Sequence, residues 1–351
     1  MFPILLAASA FLSFALSWWL TIRFAKPQSI FYIADLPNAR SLHSHPVSRS
    51  GGIALLFATY AVGVGVFGAR ADASMVPLGA AGLVLGTVAF VDDRRSLAPG
   101  LRLLVHVLVA IGLIAAGLAI SVVDLPGVRW ELTAWVSVVS TVIWIVWMIN
   151  LYNFMDGMDG YAGGMTVVGF AALAALGWVG NDHVFVLANT IVAAAALGFL
   201  LVNFPPARIF MGDTGSSTLG CFAAAMVIWG SERRIFPLWI GVLVFSPFIV
   251  DATVTLLRRF FRGETVWEAH ATHYYQRLVR SGWSHRRTVL LQYVLMLACS
   301  VSAFAAASAK NTPAQWGVLG LWVGIYVLYF AAVARFESRL NRSDRSSGPI
   351  A

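Results

Sequence analysis

LTAWVSVVSTVIWIVWMINLYNFMDGMDG, residues 132–160, changes character once, after Ile149. The eighteen residues Leu132–Ile149 carry no charge, which is the length an α-helix needs to cross the hydrocarbon core of a bilayer. The eleven that follow, NLYNFMDGMDG, hold two Asn, two Asp and two Gly. A crossing that ends on four oxygen-bearing side chains is either an ordinary helix exit or one wall of a site.

The apolar half of that pattern recurs along all 351 residues, of which 59% are hydrophobic and 11% charged. Soluble domains carry roughly 25% charged residues. Runs of spanning length fall near 2–22, 51–67, 76–91, 103–120, 132–149, 161–179, 184–202, 217–230, 235–257, 289–308 and 313–334. Only helices and closed barrels satisfy their backbone inside lipid. The pattern therefore predicts an all-α integral membrane protein, a polytopic bundle of about eleven transmembrane helices. A single domain over 1–334 is followed by a basic, flexible tail at 335–351. The longest segment between runs, 258–288, is too short for a soluble domain. Basic residues follow the first run and none precedes it, the reverse of a secretory signal. That segment is expected to be a retained helix with its N-terminus outside. Cys221 and Cys299 both lie in apolar runs, which excludes a disulfide framework and a zinc site.

Counting alternate loops, nineteen of the 24 Lys and Arg fall on the side that follows runs 1, 3, 5, 7 and 9 and carries the C-terminal tail. The positive-inside bias places that side in the cytoplasm, so the N-terminus is expected in the periplasm and the C-terminus in the cytoplasm. The net charge of +8 thus reflects topology rather than a nucleic-acid partner. Asp35, Asp92, Asp93, Asp156, Asp159 and Asp213 lie on the same side. Acidic residues are nearly indifferent to the bias, so their gathering needs another cause.

Four stretches on that face carry the chemistry. FVDDRRSLAPGLR (90–102) has adjacent carboxylates, Asp92 and Asp93. NLYNFMDGMDG spaces Asn150, Asn153, Asp156 and Asp159 three apart. Such neighbours share a helix side, yet over nine residues a helix turns about 900°. All four converge only if the helix breaks, which Gly157 and Gly160 permit. FPPARIFMGDTGSS (204–217) sets Asp213 among glycines, and the loop at 258–288 holds seven Arg with His270, His273 and His285. Carboxylates and amide oxygens beside an Arg- and His-rich loop suit a hard cation holding a polyphosphate. Each stretch alone has a plainer reading: a turn, a self-paired loop end, a helix cap, a topology signal. Asp251 lies inside the ninth run, where a carboxylate is costly and is by default a functional candidate. A transporter or non-catalytic lipid-binding protein is the competing class. It would place its polar groups near mid-bilayer, where Asp251 alone is expected.

In order and spacing, these motifs resemble those of the polyprenyl-phosphate N-acetylhexosamine-1-phosphate transferases. DLPNARSLHSHPVSRSGGIAL (35–55) is similar to the family's first cytoplasmic loop, FVDDRRS to its Asp-Asp motif, and NLYNFMDGMDG to its Asn-x-x-Asn-x-x-Asp-Gly-x-Asp-Gly motif. FMGDTGS matches its Phe-x-Gly-Asp motif, and AHATHYYQRL (269–278) its histidine loop. The resemblance implies a bacterial inner-membrane enzyme with its active site facing the cytoplasm. It implies transfer of an N-acetylhexosamine 1-phosphate from a UDP-sugar to undecaprenyl phosphate, releasing UMP. Asn153 and Asp213 would hold Mg²⁺, with Mn²⁺ as the alternative. Asp92 and Asp93 would sit by the lipid phosphate, and Asp156 and Asp159 would shape the nucleotide pocket. Phe210 would stack on uracil, while His270, His273, Arg277, His43 and Arg49 would contact substrate. A homodimer is left open. Two departures matter. Arg94 or Arg95 stands where the peptidoglycan-precursor branch has a basic residue after the Asp pair, and His-Ala-Thr-His replaces that branch's run of three histidines. The His-x-x-His-Tyr-Tyr-Gln-Arg-Leu form is closer to enzymes that initiate O-antigen and related polysaccharides. It implies N-acetylglucosamine or a 6-deoxy sugar such as N-acetylfucosamine or N-acetylquinovosamine.

Overall fold

The computed structural model describes residues 1–35, 46–69, 73–265, 270–309 and 311–346. The chain is a polytopic helical membrane protein. In chain order its elements begin with α1 (Phe2–Phe24), β1 (Ala34–Asp35), β2 (Val47–Ser48), α2 (Gly51–Ala69), α3 (Val76–Arg95) and α4 (Pro99–Ala115). Then come β3 (Val122–Leu125), β4 (Val128–Glu131), α5 (Ala134–Met155), α6 (Tyr161–Val179), α7 (His183–Asn203) and α8 (Gly212–Glu232). The last are α9 (Leu238–Val244), α10 (Ser246–Phe261), α11 (Tyr274–Arg280), α12 (His285–Ser308) and α13 (Thr312–Ser346). Among the described residues, β structure comprises two short antiparallel ladders, β1 with β2 and β3 with β4, and one parallel bridge between Ser48 and Ile209.

Each expected run falls largely in helix, although not every one is long and apolar enough by itself to read as a crossing. Among the described residues, eight helices are long and apolar enough to cross a membrane (α1, α2, α3, α5, α6, α7, α12 and α13), or nine if α9 and α10 count as one broken span. Three local causes account for the difference. The run at 103–120 belongs to a 17-residue helix, α4, which is followed by a turn at Gly117 with φ +91°. The run at 217–230 lies within α8, whose residues Thr214–Gly230 are all buried. A helix wrapped by other helices need not match lipid, so it carries hydroxyls such as Thr218, which returns a bond of 2.9 Å to the Thr214 carbonyl. The run at 235–257 breaks at Phe245, where α10 departs from α9 by 81°. Pro247 stands in the first turn of α10 and has no N–H to continue the preceding ladder. Ser246 Oγ takes up the Leu243 carbonyl at 2.7 Å.

α8 is the axis of the fold. It packs against α3 and α5, and less extensively against α2, α6 and α9, while α7 lies between α1 and α6. Three segments that end or begin at one end of this bundle are thereby brought together: the end of α3, the end of α5 and the start of α8. α13 continues to Ser346, so the segment expected as a flexible tail is helical over most of its length.

Candidate active site

α5 breaks where its two Asp-Gly pairs begin. Asp156 is its C-cap with ψ 27°, and Gly160 takes φ +73°, a left-handed conformation natural to glycine. The turn is held from two sides. The Gly160 N–H donates to Asn203 Oδ1 at 2.9 Å, and Tyr293 Oη donates to the Gly160 carbonyl at 2.7 Å. Asn203 also donates to the Ile209 carbonyl at 2.8 Å, which ties the turn to the segment entering α8. That segment is in turn strapped to the first loop: Phe210 N–H reaches the Ser48 carbonyl at 2.7 Å, and Gly51 N–H the Phe210 carbonyl at 2.9 Å. Gly212, with φ +73°, then turns the chain into α8. A side chain there would meet the Arg49 carbonyl at 2.3 Å, so the position accepts only glycine. The turn delivers Asp213 into the first turn of α8, where the helix dipole favours negative charge.

The acids that meet here are held differently. Asp93 is 5% exposed. Its Oδ2 accepts from Thr214 Oγ1 at 2.9 Å and from Thr214 N–H at 3.3 Å. Arg49 donates to the Asp93 carbonyl and brings its Nε to 3.6 Å from Oδ1, yet Oδ1 accepts no hydrogen bond. Asp92 Oδ1 accepts the Leu97 N–H at 2.5 Å and Oδ2 accepts Arg102 Nη1 at 3.1 Å. The same Arg102 nitrogen lies 3.9 Å from Asp213 Oδ2. Asn153 Nδ2 donates to Ser216 Oγ at 3.2 Å, and its side chain also bonds Asp213. Burial first, then the charges of Asp213 and Asp93, push Asp156 well above the usual carboxylate range, against a bond from the Gly212 N–H. Burial likewise raises Asp213, with Asn153 opposing.

A cleft of about 520 Å³ opens beside this cluster. Asp92, Arg102, Asn153, Asp213, His270 and His273 line it, and Leu85, Val88 and Leu103 give it an apolar flank between α3 and α4. Burial, then His273 and Arg259, lowers His270 to about 4, so its ring is neutral near pH 7. Its Nδ1 lies 3.0 Å from Thr272 Oγ1.

The structure thus gathers Asp92, Asp93, Asp156, Asn153, Asp213, Arg49, His270 and His273 around one cleft and its floor. The other expected residues are placed elsewhere. Asp159 turns away, accepting the Ala207 N–H at 3.0 Å and lying 3.3 Å from His285 Nδ1. It joins the Asp-Gly turn to its neighbours. Phe210 is half-buried in the strap described above. Arg277 pairs with Glu337 of α13, its Nε donating at 2.8 Å. His43 lies outside the described residues. Arg102 and Thr214 received no role from sequence. Both sit within the quoted motifs, but nothing local says which acid they meet. Arg94 stacks on Phe90 at 4.4 Å instead, and the cations that meet the acid pair are Arg102 at Asp92 and Arg49 at Asp93. Asp251 also has a clear place. It is 3% exposed and accepts the Tyr274 and Tyr275 N–H groups at 3.0 and 3.2 Å, with His273 Nδ1 at 3.5 Å. It anchors α11, and with it the histidine loop.

Among the described residues, no three His, Cys, Asp or Glu side chains are placed to enclose an ion. The donor set fits a different kind of cation. Mg²⁺ takes one or two protein carboxylates and leaves its other positions to water and phosphate oxygens. A half-buried Asp213 beside Asn153, with burial raising Asp213 and Asp156 above the usual carboxylate range, fits that requirement.

Residues 75–231 match the family described as Glycosyl transferase family 4. The chain is 31% identical to a decaprenyl-phosphate N-acetylglucosaminephosphotransferase of Mycolicibacterium smegmatis, over 86% of this chain and 80% of that one. It is 29% identical to a probable undecaprenyl-phosphate N-acetylglucosaminyl 1-phosphate transferase of Bacillus subtilis, over 85% and 81%. It is also 29% identical to a phospho-N-acetylmuramoyl-pentapeptide-transferase of Shouchella clausii, over 68% and 77%.

Proposed function

Because the chain belongs to glycosyl transferase family 4, we propose that it transfers a sugar 1-phosphate from a UDP-N-acetylhexosamine to undecaprenyl phosphate. The observation that carries this reading is the meeting of Asp92, Asp93, Asp156 and Asp213, from three separate helix ends, beside Arg49 and Arg102 on one cleft. Phosphoryl transfer asks mainly for positioning and charge neutralisation, and this arrangement offers both.

In the proposed reaction an oxygen of the lipid phosphate forms a bond to the donor's β-phosphorus. The bond from that phosphorus to the bridging oxygen breaks, and UMP leaves with the electron pair. Both Asp92 oxygens are occupied, by Leu97 and Arg102, whereas Asp93 Oδ1 accepts no hydrogen bond. Asp93 therefore keeps an uncommitted oxygen below the cleft, while Arg102 orients Asp92, which lines it. Neutral His270 can donate to the sugar or its phosphate without adding charge, and the His273 ring lies beside it, 4.8 Å away between centroids. Mg²⁺, or Mn²⁺ in its stead, held by Asp213 and Asn153, would neutralise the donor pyrophosphate. The apolar flank at Leu85, Val88 and Leu103 suits the first isoprene units. The concentration of Lys and Arg on the site face supports a cytoplasm-facing site in a bacterial inner membrane, with the N-terminus outside. The His-x-x-His-Tyr-Tyr-Gln-Arg-Leu loop favours initiation of O-antigen or related surface polysaccharides, with N-acetylglucosamine or a 6-deoxy N-acetylhexosamine as the sugar.

The test is purified protein in detergent with undecaprenyl phosphate, Mg²⁺ and a panel of UDP-N-acetylhexosamines, scoring UMP and lipid-linked sugar together. Lipid-dependent, EDTA-sensitive appearance of both products is expected, and the donor that works names the sugar. Folded protein that makes neither product with any donor would refute the reading.

A further inference from the structure

Behind the wall that carries His270 lies a second cavity of about 230 Å³. Five arginines line it: Arg258, Arg259, Arg262, Arg277 and Arg280. They come from α10, the turn after it and α11. Two are pinned. Arg277 grips Glu337 with Nε and Nη2. Arg259 Nη2 donates to the Thr265 carbonyl at 2.7 Å, and its Nε lies 3.5 Å from Glu264. The pinning leaves donors over. Arg277 Nη1 and Arg259 Nε have no hydrogen-bond partner, although the two residues are only 8% and 9% exposed. Among the described residues, Arg258, Arg262 and Arg280 make no ion pair. Among the described residues, five cations thus face two carboxylates, Glu264 and Glu337, around one small space.

A buried guanidinium N–H without an acceptor is costly, and two of them in one arginine-lined cavity call for an anion with many acceptor oxygens. Arginine forks match the oxygens of a phosphate group. The other face of α10 suggests the source. Leu257, Phe260 and Phe261 are 49%, 65% and 81% exposed, on a helix bent 81° from the one before it. A helix with bare aromatics on one face and arginines on the other lies in the membrane interface, apolar side chains among acyl tails and cations at headgroup level. We infer that this cavity is a phosphate-binding site, filled by the phosphodiester headgroup of an anionic phospholipid whose chains run along Leu257, Phe260 and Phe261. The site stands apart from the carboxylate cleft and holds whatever reaction occurs there. It touches that cleft at one point: Thr272 lines the cavity and lies 3.0 Å from His270 Nδ1. A seated headgroup would thus brace the histidine loop.

Native mass spectrometry of the full chain in detergent tests this, with separate titrations of phosphatidylglycerol, phosphatidylcholine and inorganic phosphate. Wild type is expected to retain phosphatidylglycerol over phosphatidylcholine. Arg258→Gln with Arg262→Gln should weaken that retention about thirtyfold, from roughly 1 kcal/mol per interfacial arginine. Arginine-dependent binding of inorganic phosphate, without preference between the lipids, would support the site and give it a soluble phosphate instead. Wild type alone decides the matter if the variant fails to fold. Equal retention of both lipids with no phosphate binding overturns the proposal, as does an unchanged preference in a folded variant.

Discussion

Asp251→Ala should loosen α11 without unfolding the bundle. In the native protein the Asp251 carboxylate accepts two backbone N–H groups, Tyr274 at 3.0 Å and Tyr275 at 3.2 Å. Both tyrosines are buried, at 7% and 0% exposed, so neither N–H has water as an easy substitute. A hydrogen bond to a charged group contributes about 1.5–3 kcal/mol, giving about 3–6 kcal/mol for the pair. Relaxation of a seven-residue helix and entry of water should recover part of this, leaving about 3 kcal/mol of local destabilisation. That corresponds to roughly a hundredfold more frequent opening of α11. Asp251→Asn keeps one acceptor oxygen and should show about half the free-energy effect, near tenfold. Hydrogen exchange with mass spectrometry reads the segment Tyr274–Arg280 directly, and UMP release reports the consequence for His270 and His273. Exchange there as slow in Asp251→Ala as in wild type would refute the reasoning. Lost turnover with unchanged exchange would assign Asp251 to the chemistry itself.

Three further outcomes are expected. Asp213→Asn and Asn153→Ala should each abolish turnover in protein that still elutes as a folded species, and wild-type-like activity in either would remove its metal role. Arg102→Ala should lower kcat/KM by about tenfold to a hundredfold, the worth of one charge-assisted bond, and shift thermal stability by under about 1 kcal/mol because its side chain is 39% exposed. Asp156 has its folded pKa raised above the unfolded value. Its contribution to stability is therefore present below the unfolded pKa and lost as pH rises through the folded one. A divalent cation favours the ionised form, so Mg²⁺ should raise Tm more near pH 8 than near pH 5.5. Equal protection at both would contradict the crowding of acids around Asp156.

Much of the fold was legible from local pattern alone. Apolar length marks a helix in lipid wherever it occurs, and α5, α6 and α7 follow their runs closely. The break after α5 was also legible, because four residues three apart cannot share one helix face and two glycines offered the exit. The crossings that local apolarity marks least clearly were those whose surroundings matter. α8 is sheltered by other helices, and α9 and α10 meet at a bend that hydropathy averages over.

The candidate site divides in the same way. Residue types and motif spacing identified the acids, amides and histidines, because chemistry of this kind needs those groups within short segments. Partnership was decided only by tertiary structure. Asp159 and Asp156 look alike in NLYNFMDGMDG, yet the left-handed turn at Gly160 sends one to Ala207 and His285 and leaves the other beside Gly212. Thr214 meets Asp93 across 121 residues, and Arg277 meets Glu337 across 60. A side chain's type fixes what it can bond. Which atom it reaches depends on how distant helices pack, and no local run of residues encodes that.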